Sequence, residues 1–310
     1  MKKIIFLILL TLLTGCTNYN DISNIAVVST ITIDKIDEQY DIKIKVLSSN
    51  QKNEENIYNE TCPSINECFD KLNNQLTKRL YLTHLDLLVL DNSLNKDDYN
   101  NIMNFFLSQK TSRNSFTTVI TDNINEKIFD YDTKDINNML DLSITTTGLV
   151  NKVTFDEIIK NILNYKLSYI PYLENKDNLE IKGYKSIYED NKILTEKESL
   201  AINLIQNNIK ETTILLNDET YKLEGCTTLN SVDNNIININ LTCNYKGKKE
   251  DKEKLTNYIK TILLDFIYNN KDNYFDYLIY KFEGKYKEEK EYKVKISLNY
   301  LETTGGEIFD

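Results

Sequence analysis

The chain of 310 residues has no tryptophan, only two prolines and a single histidine, His84. One histidine leaves little material for Ser–His–Asp or Cys–His nucleophilic catalysis, and no G-x-S-x-G stretch is present. Arginine is equally scarce, at Arg79 and Arg113 alone. Asp and Glu outnumber Lys and Arg by 47 to 37. No basic stripe is dense enough for nucleic acid, and the acidic balance opposes such a partner. Gly247-Lys248-Lys249 lacks the spaced glycine and the Ser/Thr of a P-loop. The five cysteines include no C-x-x-C pair, which sets a zinc site aside. No internal repeat or coiled coil is visible, and no metal or other cofactor is expected. Apolar residues run on for long only once, from Ile4 to Leu13. That is half of the roughly 20 residues a spanning helix needs.

That short run has a different reading. Met1-Lys2-Lys3 is a positive n-region, Ile4–Leu13 an apolar h-region, and Leu13-Thr14-Gly15-Cys16 has the form of a lipobox. Residues 1–15 are thus expected to be a lipoprotein signal peptide. Cys16 then becomes the first mature residue and the site of lipid attachment, diacylglyceryl on sulfur and acyl on nitrogen. Two acyl chains, at about 0.8 kcal/mol per buried methylene, make a stable anchor where one would not. Loss of Lys2 and Lys3 takes the net charge from −10 to −12.

After a tether at 16–24, Ile25–Asp34 is a β-branched run suited to a buried strand. Tyr40, Ile42, Ile44 and Val46 alternate with polar residues, and the two strands make a hairpin. A polar segment, Asn50–Asn59, separates it from a helix beginning near Ser64. Three capping boxes mark helix starts: Ser64 with Glu67, Thr154 with Glu157, and Thr195 with Glu198. Leu85–Leu90 and Phe116–Ile120 read as strands, with a helix around Asp97–Leu107 between them. Helical connections are expected over 124–147. Tyr169–Leu173 is extended around Pro171, and Ile181–Tyr188 with Lys192–Thr195 is a hairpin. From Thr212 onward short strands dominate. A periodic helix from Leu255 to Phe266 and an alternating strand from Tyr292 to Tyr300 follow. The expected class is α+β and multi-domain, with mixed or antiparallel sheets each covered by helices. The expected segments are an N-terminal domain at 25–148, a middle domain at 149–209 and a C-terminal domain at 210–310.

Four cysteines remain for the folded region. Cys62 and Cys68 lie six apart, while Cys226 and Cys243 flank a hairpin. In an exported chain the four suit either two disulfides or buried thiols. His84, beside an apolar strand, suits a hydrogen-bonding strand end better than a general base. The acid pairs Asp97-Asp98, Asp156-Glu157 and Glu288-Glu289 sit at helix starts or in charged loops, where they complement the helix dipole. With 21 tyrosines and no tryptophan, tyrosine carries the aromatic load of the core. Tyr165, Tyr169 and Tyr172 around Pro171 form the best local contact surface.

The order of these elements resembles the Ger(x)C family, the lipoprotein C subunit of spore-germinant receptors. The resemblance begins with the lipobox cysteine and the hairpin strand Ile25-Ala26-Val27-Val28-Ser29-Thr30-Ile31-Thr32-Ile33-Asp34-Lys35. It continues through Tyr81-Leu82-Thr83-His84-Leu85-Asp86-Leu87-Leu88-Val89-Leu90, Phe155–Leu163, Pro171, Ile181-Lys182-Gly183-Tyr184 and Thr195–Ile205. Asp276 and the closing strand also fit. Thr17-Asn18-Tyr19-Asn20 stands where the family often has a Trp-Asp-Arg-like stretch, and Thr30 and Thr32 replace two hairpin glycines. The resemblance implies a non-catalytic subunit, anchored through Cys16 on the outer face of the spore inner membrane. Its partners would be the A and B membrane subunits of a nutrient germinant receptor, and its role would be in germination. A histidine at position 84 is then structural or part of an interface. The alternative is a solute-binding lipoprotein delivering a small ligand to a transporter. That would need two similar α/β lobes, and no repeated doubly wound pattern is present.

Overall fold

The computed structural model describes residues 25–47, 56–76, 78–109, 113–122, 124, 126–165, 167–176, 178–188, 191–233, 236–269 and 291–302. Cys16 with its signal segment, Glu288-Glu289 and Asp276 lie outside these residues.

Strands β1 (Ile25–Ile36) and β2 (Gln39–Val46) form the expected hairpin. Asp37 and Glu38 at its tip both take positive φ, 48° and 63°. A two-residue turn of that hand matches the right-handed twist of the flanking strands. The hairpin belongs to an eight-stranded sheet with β3 (Asn56–Cys62), β4 (Arg79–Tyr81), β5 (Leu87–Asp91), β6 (Thr117–Thr121), β7 (Leu167–Asn175) and β8 (Leu179–Tyr188). The order is β3-β2-β1-β5-β6-β7-β8, with β4 pairing β1 off that path. Strands β1, β4, β5, β6 and β7 run parallel, so all five begin at one end of the sheet, called here the amino end.

Both faces of this sheet are covered, which is why β5 and β6 are buried at every position. On one face, α1 (Ile65–Leu76), α2 (Lys96–Ser108) and α4 (Phe155–Tyr165) pack over Ile31, Ile33, Leu88, Leu90 and Ile120. On the other, α3 (Thr133–Thr146) and α5 (Glu196–Ile205) cover Leu87, Val89 and Val119. The caps form as the sequence implies. Thr195 and Glu198 make a reciprocal box at α5, and the Thr154 backbone donates to Glu157 at 2.9 Å. Asn95 with Asp98 caps α2 in the same way.

A second sheet contains β9 (Glu211–Leu216), β10 (Glu219–Asp233), β11 (Ile236–Lys246) and β12 (Glu291–Tyr300) in the order β12-β11-β10-β9. Only β12 against β11 is parallel. Helix α6 (Lys252–Asn269) lays Leu255, Ile259, Leu263 and Phe266 on it. One hydrophobic cluster runs from Leu87 and Val119 of the first sheet to Leu241 and Leu298 of the second. The fold is therefore α+β, with two mixed sheets and helices on their faces.

Several details differ from the sequence reading. Strand β3 occupies part of the expected polar segment: it lies at the sheet edge, where only Cys62 is fully buried, so its residues carry no apolar alternation. Of the short strands expected from Thr212 onward, residues 219–233 are instead one long strand, β10, carried through a register shift between Glu224 and Thr227. Gly225, at φ +57°, supplies the backbone conformation for that bulge. Pro171 sits inside β7, and the ladder to β6 begins one residue later at Tyr172, so no β6 bond is lost to its missing N–H. Strands β7 and β8 extend the first sheet across residue 148, and the second sheet begins after residue 209.

Candidate functional site

Helix α4, strands β7 and β8, and the turn after α5 surround a polar cleft of about 270 Å³. Lys152, Glu157, Lys160, Tyr169, Tyr184 and Asn208 are among its lining residues. Its wall is fixed by a buried network. The Tyr184 hydroxyl accepts from the Asn151 backbone at 2.6 Å and donates to Asn203 Oδ1 at 2.9 Å. Asn203 Nδ2 donates to the carbonyls of Gly148 and Leu149 at 2.8 and 3.0 Å. Asn203 is fully buried, so these bonds satisfy polar atoms that water cannot reach. The cleft offers amide, phenol and charged groups that can bind polar atoms.

The tyrosine surface expected from the sequence is divided. Tyr169 lines this cleft, its ring 6.3 Å from Tyr184. Tyr172, three residues on, belongs to the opposite face of β7, as the two-residue period of a strand requires. It is 5% exposed and donates to Asp122. Tyr165 ends α4, and its side chain lies outside the description. The partner of Tyr169 is thus Tyr184, whose burial reflects α5 packing over β8, a long-range contact that local periodicity does not carry.

At the amino end of the first sheet, a second cleft of about 220 Å³ holds His84, Asp86, Arg113, Ser115, Thr117 and Lys152. His84 is exposed and its ring lies 5.9 Å from Tyr81. Although a serine and an aspartate share the cleft, no hydrogen bond joins either to His84 among the described residues. The relay that activates a hydroxyl is not assembled there.

The opposite, carboxyl end of the parallel strands is where open α/β sheets hold ligands. Here a buried lysine reaches in among the acids. Lys185 is 2% exposed, and its Nζ donates to the Asn92 carbonyl at 2.5 Å. Burial holds its pKa down at about 8, against the opposing pull of Asp91 and Asp122. Asp34 nearby is raised by burial and by Asp91. Lys185 lies at a strand position the sequence reading did not single out, since a lysine in a strand usually marks its wet face.

Of the four cysteines, Cys226 and Cys243 are bridged, while Cys62 and Cys68 are buried free thiols. The Cys68 thiol lies 3.5 Å from the carbonyls of Tyr40 and Glu60. Burial, and then its hydrogen bond with Cys62, push its pKa up. The cysteines therefore divide into one disulfide and one dithiol. Among the described residues no group of three His, Cys, Asp or Glu side chains could hold a metal ion. No helix among them is long and apolar enough to cross a membrane.

Residues 18–175, about half of the chain and including β1 to β7, match the family model described as the spore germination protein N-terminal domain. No curated protein matches the sequence. The crystal structure of the GerBC protein superposes with a TM-score of 0.48 at 12% identity, covering 88% of this chain and 97% of that one. The chain belongs to the spore germination protein family of Ger(x)C type, and residues 18–175 carry its N-terminal domain.

Proposed function

We propose that this protein is the C subunit of a nutrient germinant receptor, anchored by lipid at Cys16 and acting in germination by docking with the A and B membrane subunits. The family match over residues 18–175 is the observation that carries this reading. Three features support it. The lipobox ends at Cys16, nine residues before β1 begins at Ile25. The one histidine is not joined to the serine or aspartate in its cleft. Buried Lys185 reaches the Asn92 carbonyl just past the end of β5. The reading assigns no bond-making step to this chain. It contributes a surface, held on the outer face of the spore inner membrane.

The polar cleft at Tyr169 and Tyr184 favours the second reading, a solute-binding lipoprotein. Its volume of about 270 Å³ lies just under the 300–1,000 Å³ usual for small-molecule sites. Its walls come from α4, β7, β8 and the turn after α5 around one sheet, instead of two similar lobes that close on a ligand. The docking subunit is the better account.

The test is affinity capture of the tagged protein from detergent-solubilised spore membranes, beside a Cys16→Ala control. The expected result is co-recovery of A- and B-type membrane subunits, reduced in the control. Recovery of transporter components would favour ligand delivery, and recovery of neither partner with Cys16 acylated would overturn the receptor reading.

A further inference from the structure

We propose that the amino end of the first sheet is a membrane-facing surface that binds the phosphates of anionic lipid headgroups, with the acidic carboxyl end held away from the bilayer. The inference rests on the reading of Cys16 as the lipid anchor.

Geometry limits which end can reach the bilayer. Eight residues lie between Cys16 and Ile25, nine Cα steps that reach at most about 30 Å when fully extended. Strand β1 has 12 residues, about 40 Å at the usual strand rise. The far tip of β1 therefore cannot stand on the bilayer with the strand upright above it, because the tether would not reach back. The start of β4, which pairs with Ile25, and the starts of β5 and β6, level with Thr30, lie on the half of the sheet brought toward the headgroups.

Charge selects the same end. Ile25 pairs directly with Arg79 of β4. Arg113 lies in the amino-end cleft with His84 and Lys152. Both arginines of the chain are thus at this end, both are exposed, and neither makes an ion pair among the described residues. Lysines elsewhere, such as Lys35, Lys182, Lys222 and Lys246, are held by carboxylates. Asp70 and Asp86 share the clefts of Arg79 and Arg113, and Asp156 opens α4 close by, so the patch is locally mixed. None of the three is ion-paired to either arginine. A guanidinium presents a planar fork that binds two phosphate oxygens at once, which a lysine cannot do.

At the opposite end acids outnumber bases, even with Lys35, Lys43, Lys96 and Lys185 counted among them. Asp37 and Glu38 are exposed at the β1–β2 turn, and Asp34, Asp91, Asp97 and Asp98 lie around it. Facing an anionic membrane with that end would set like charges against each other. The two ends together make a charge dipole along the strands, and an anionic surface orients it in one sense only.

The test uses the acylated full chain reconstituted in phosphatidylcholine vesicles with and without phosphatidylglycerol, read by amide hydrogen exchange. Residues 79–86 and 113–117 are expected to gain protection only on the anionic vesicles and to lose it in high salt. In Arg79→Gln and Arg113→Gln, both at exposed positions, protection should fall by about fivefold per arginine, the equivalent of one interfacial cation. Equal protection on both vesicle types, or protection at the β1–β2 turn instead, overturns the inference. Protection that needs co-purified membrane proteins assigns the face to a protein partner and also overturns it. Mass analysis of the same sample reports acylation: an unmodified Cys16 removes the anchor and this inference together, whereas an acylated chain without the protection removes this inference alone.

Discussion

Lys185 is the residue whose environment departs most from its chemistry. A buried ammonium loses hydration, and Asp91 and Asp122 return only part of it, so its pKa sits near 8 against an ordinary value of 10.5. Between those two values the unfolded chain binds more protons than the folded one, so stability rises with pH across that window. The gain is roughly 2 to 3 kcal/mol between pH 7 and 10. Urea unfolding of wild type and Lys185→Met at both pH values should show the wild type gaining by that amount relative to the variant. A constant difference would mean that Lys185 stays charged throughout. The sequence concealed this site because the surrounding acids are far apart in the chain, and the sheet alone brings them to one end. Tyr184 was hidden for the same reason. Its hydroxyl partners, Asn151 and Asn203, come from segments before α4 and within α5.

Elements with strong local signals form where the residues place them. The capping boxes at Thr154 and Thr195, the Asp37-Glu38 turn and the alternation of β12 are each settled within a few residues. Strand β3 is an edge strand with little apolar burial, and its pairing partner β2 decides it. Gly183 is a case where an element depends on one backbone position. It takes φ +139°, and a Cβ there would lie 2.6 Å from Ser199 Oγ and 3.0 Å from the Leu194 carbonyl. Gly183→Ala is expected to loosen α5 from β8 and to cost roughly 2 to 3 kcal/mol, measured by denaturant midpoint. At Cys226–Cys243 the bridge spans 17 residues of β10 and β11. Its reduction should lower stability by about 3 kcal/mol. Cys62 and Cys68 should resist alkylation until the protein unfolds, because both are fully buried.

At the scale of the whole molecule, the shared core joins the two sheets. Leu263 of α6 is fully buried in a cluster that also contains Leu87 and Val119. Leu263→Ala should cost about 2 to 5 kcal/mol. If the sheets unfold as one unit, the variant shifts the midpoint for labelling Cys62 and Cys68, on the far face of the first sheet, as much as it shifts the circular-dichroism midpoint. A labelling midpoint that stays in place would show that the first sheet unfolds alone. The sequence by itself determined the α+β class, the helix caps, the hairpin turn and the family resemblance, because each is written in residues close together along the chain. Tertiary structure alone decided that β7 and β8 complete the first sheet, that Tyr169 meets Tyr184 while Tyr172 turns away, and that two cysteines are bridged and two are not. It also placed both arginines at the end where β1 begins. These depend on pairings and packings between distant segments, where the free energy of burial is shared among strands and no local pattern records which neighbour each will find.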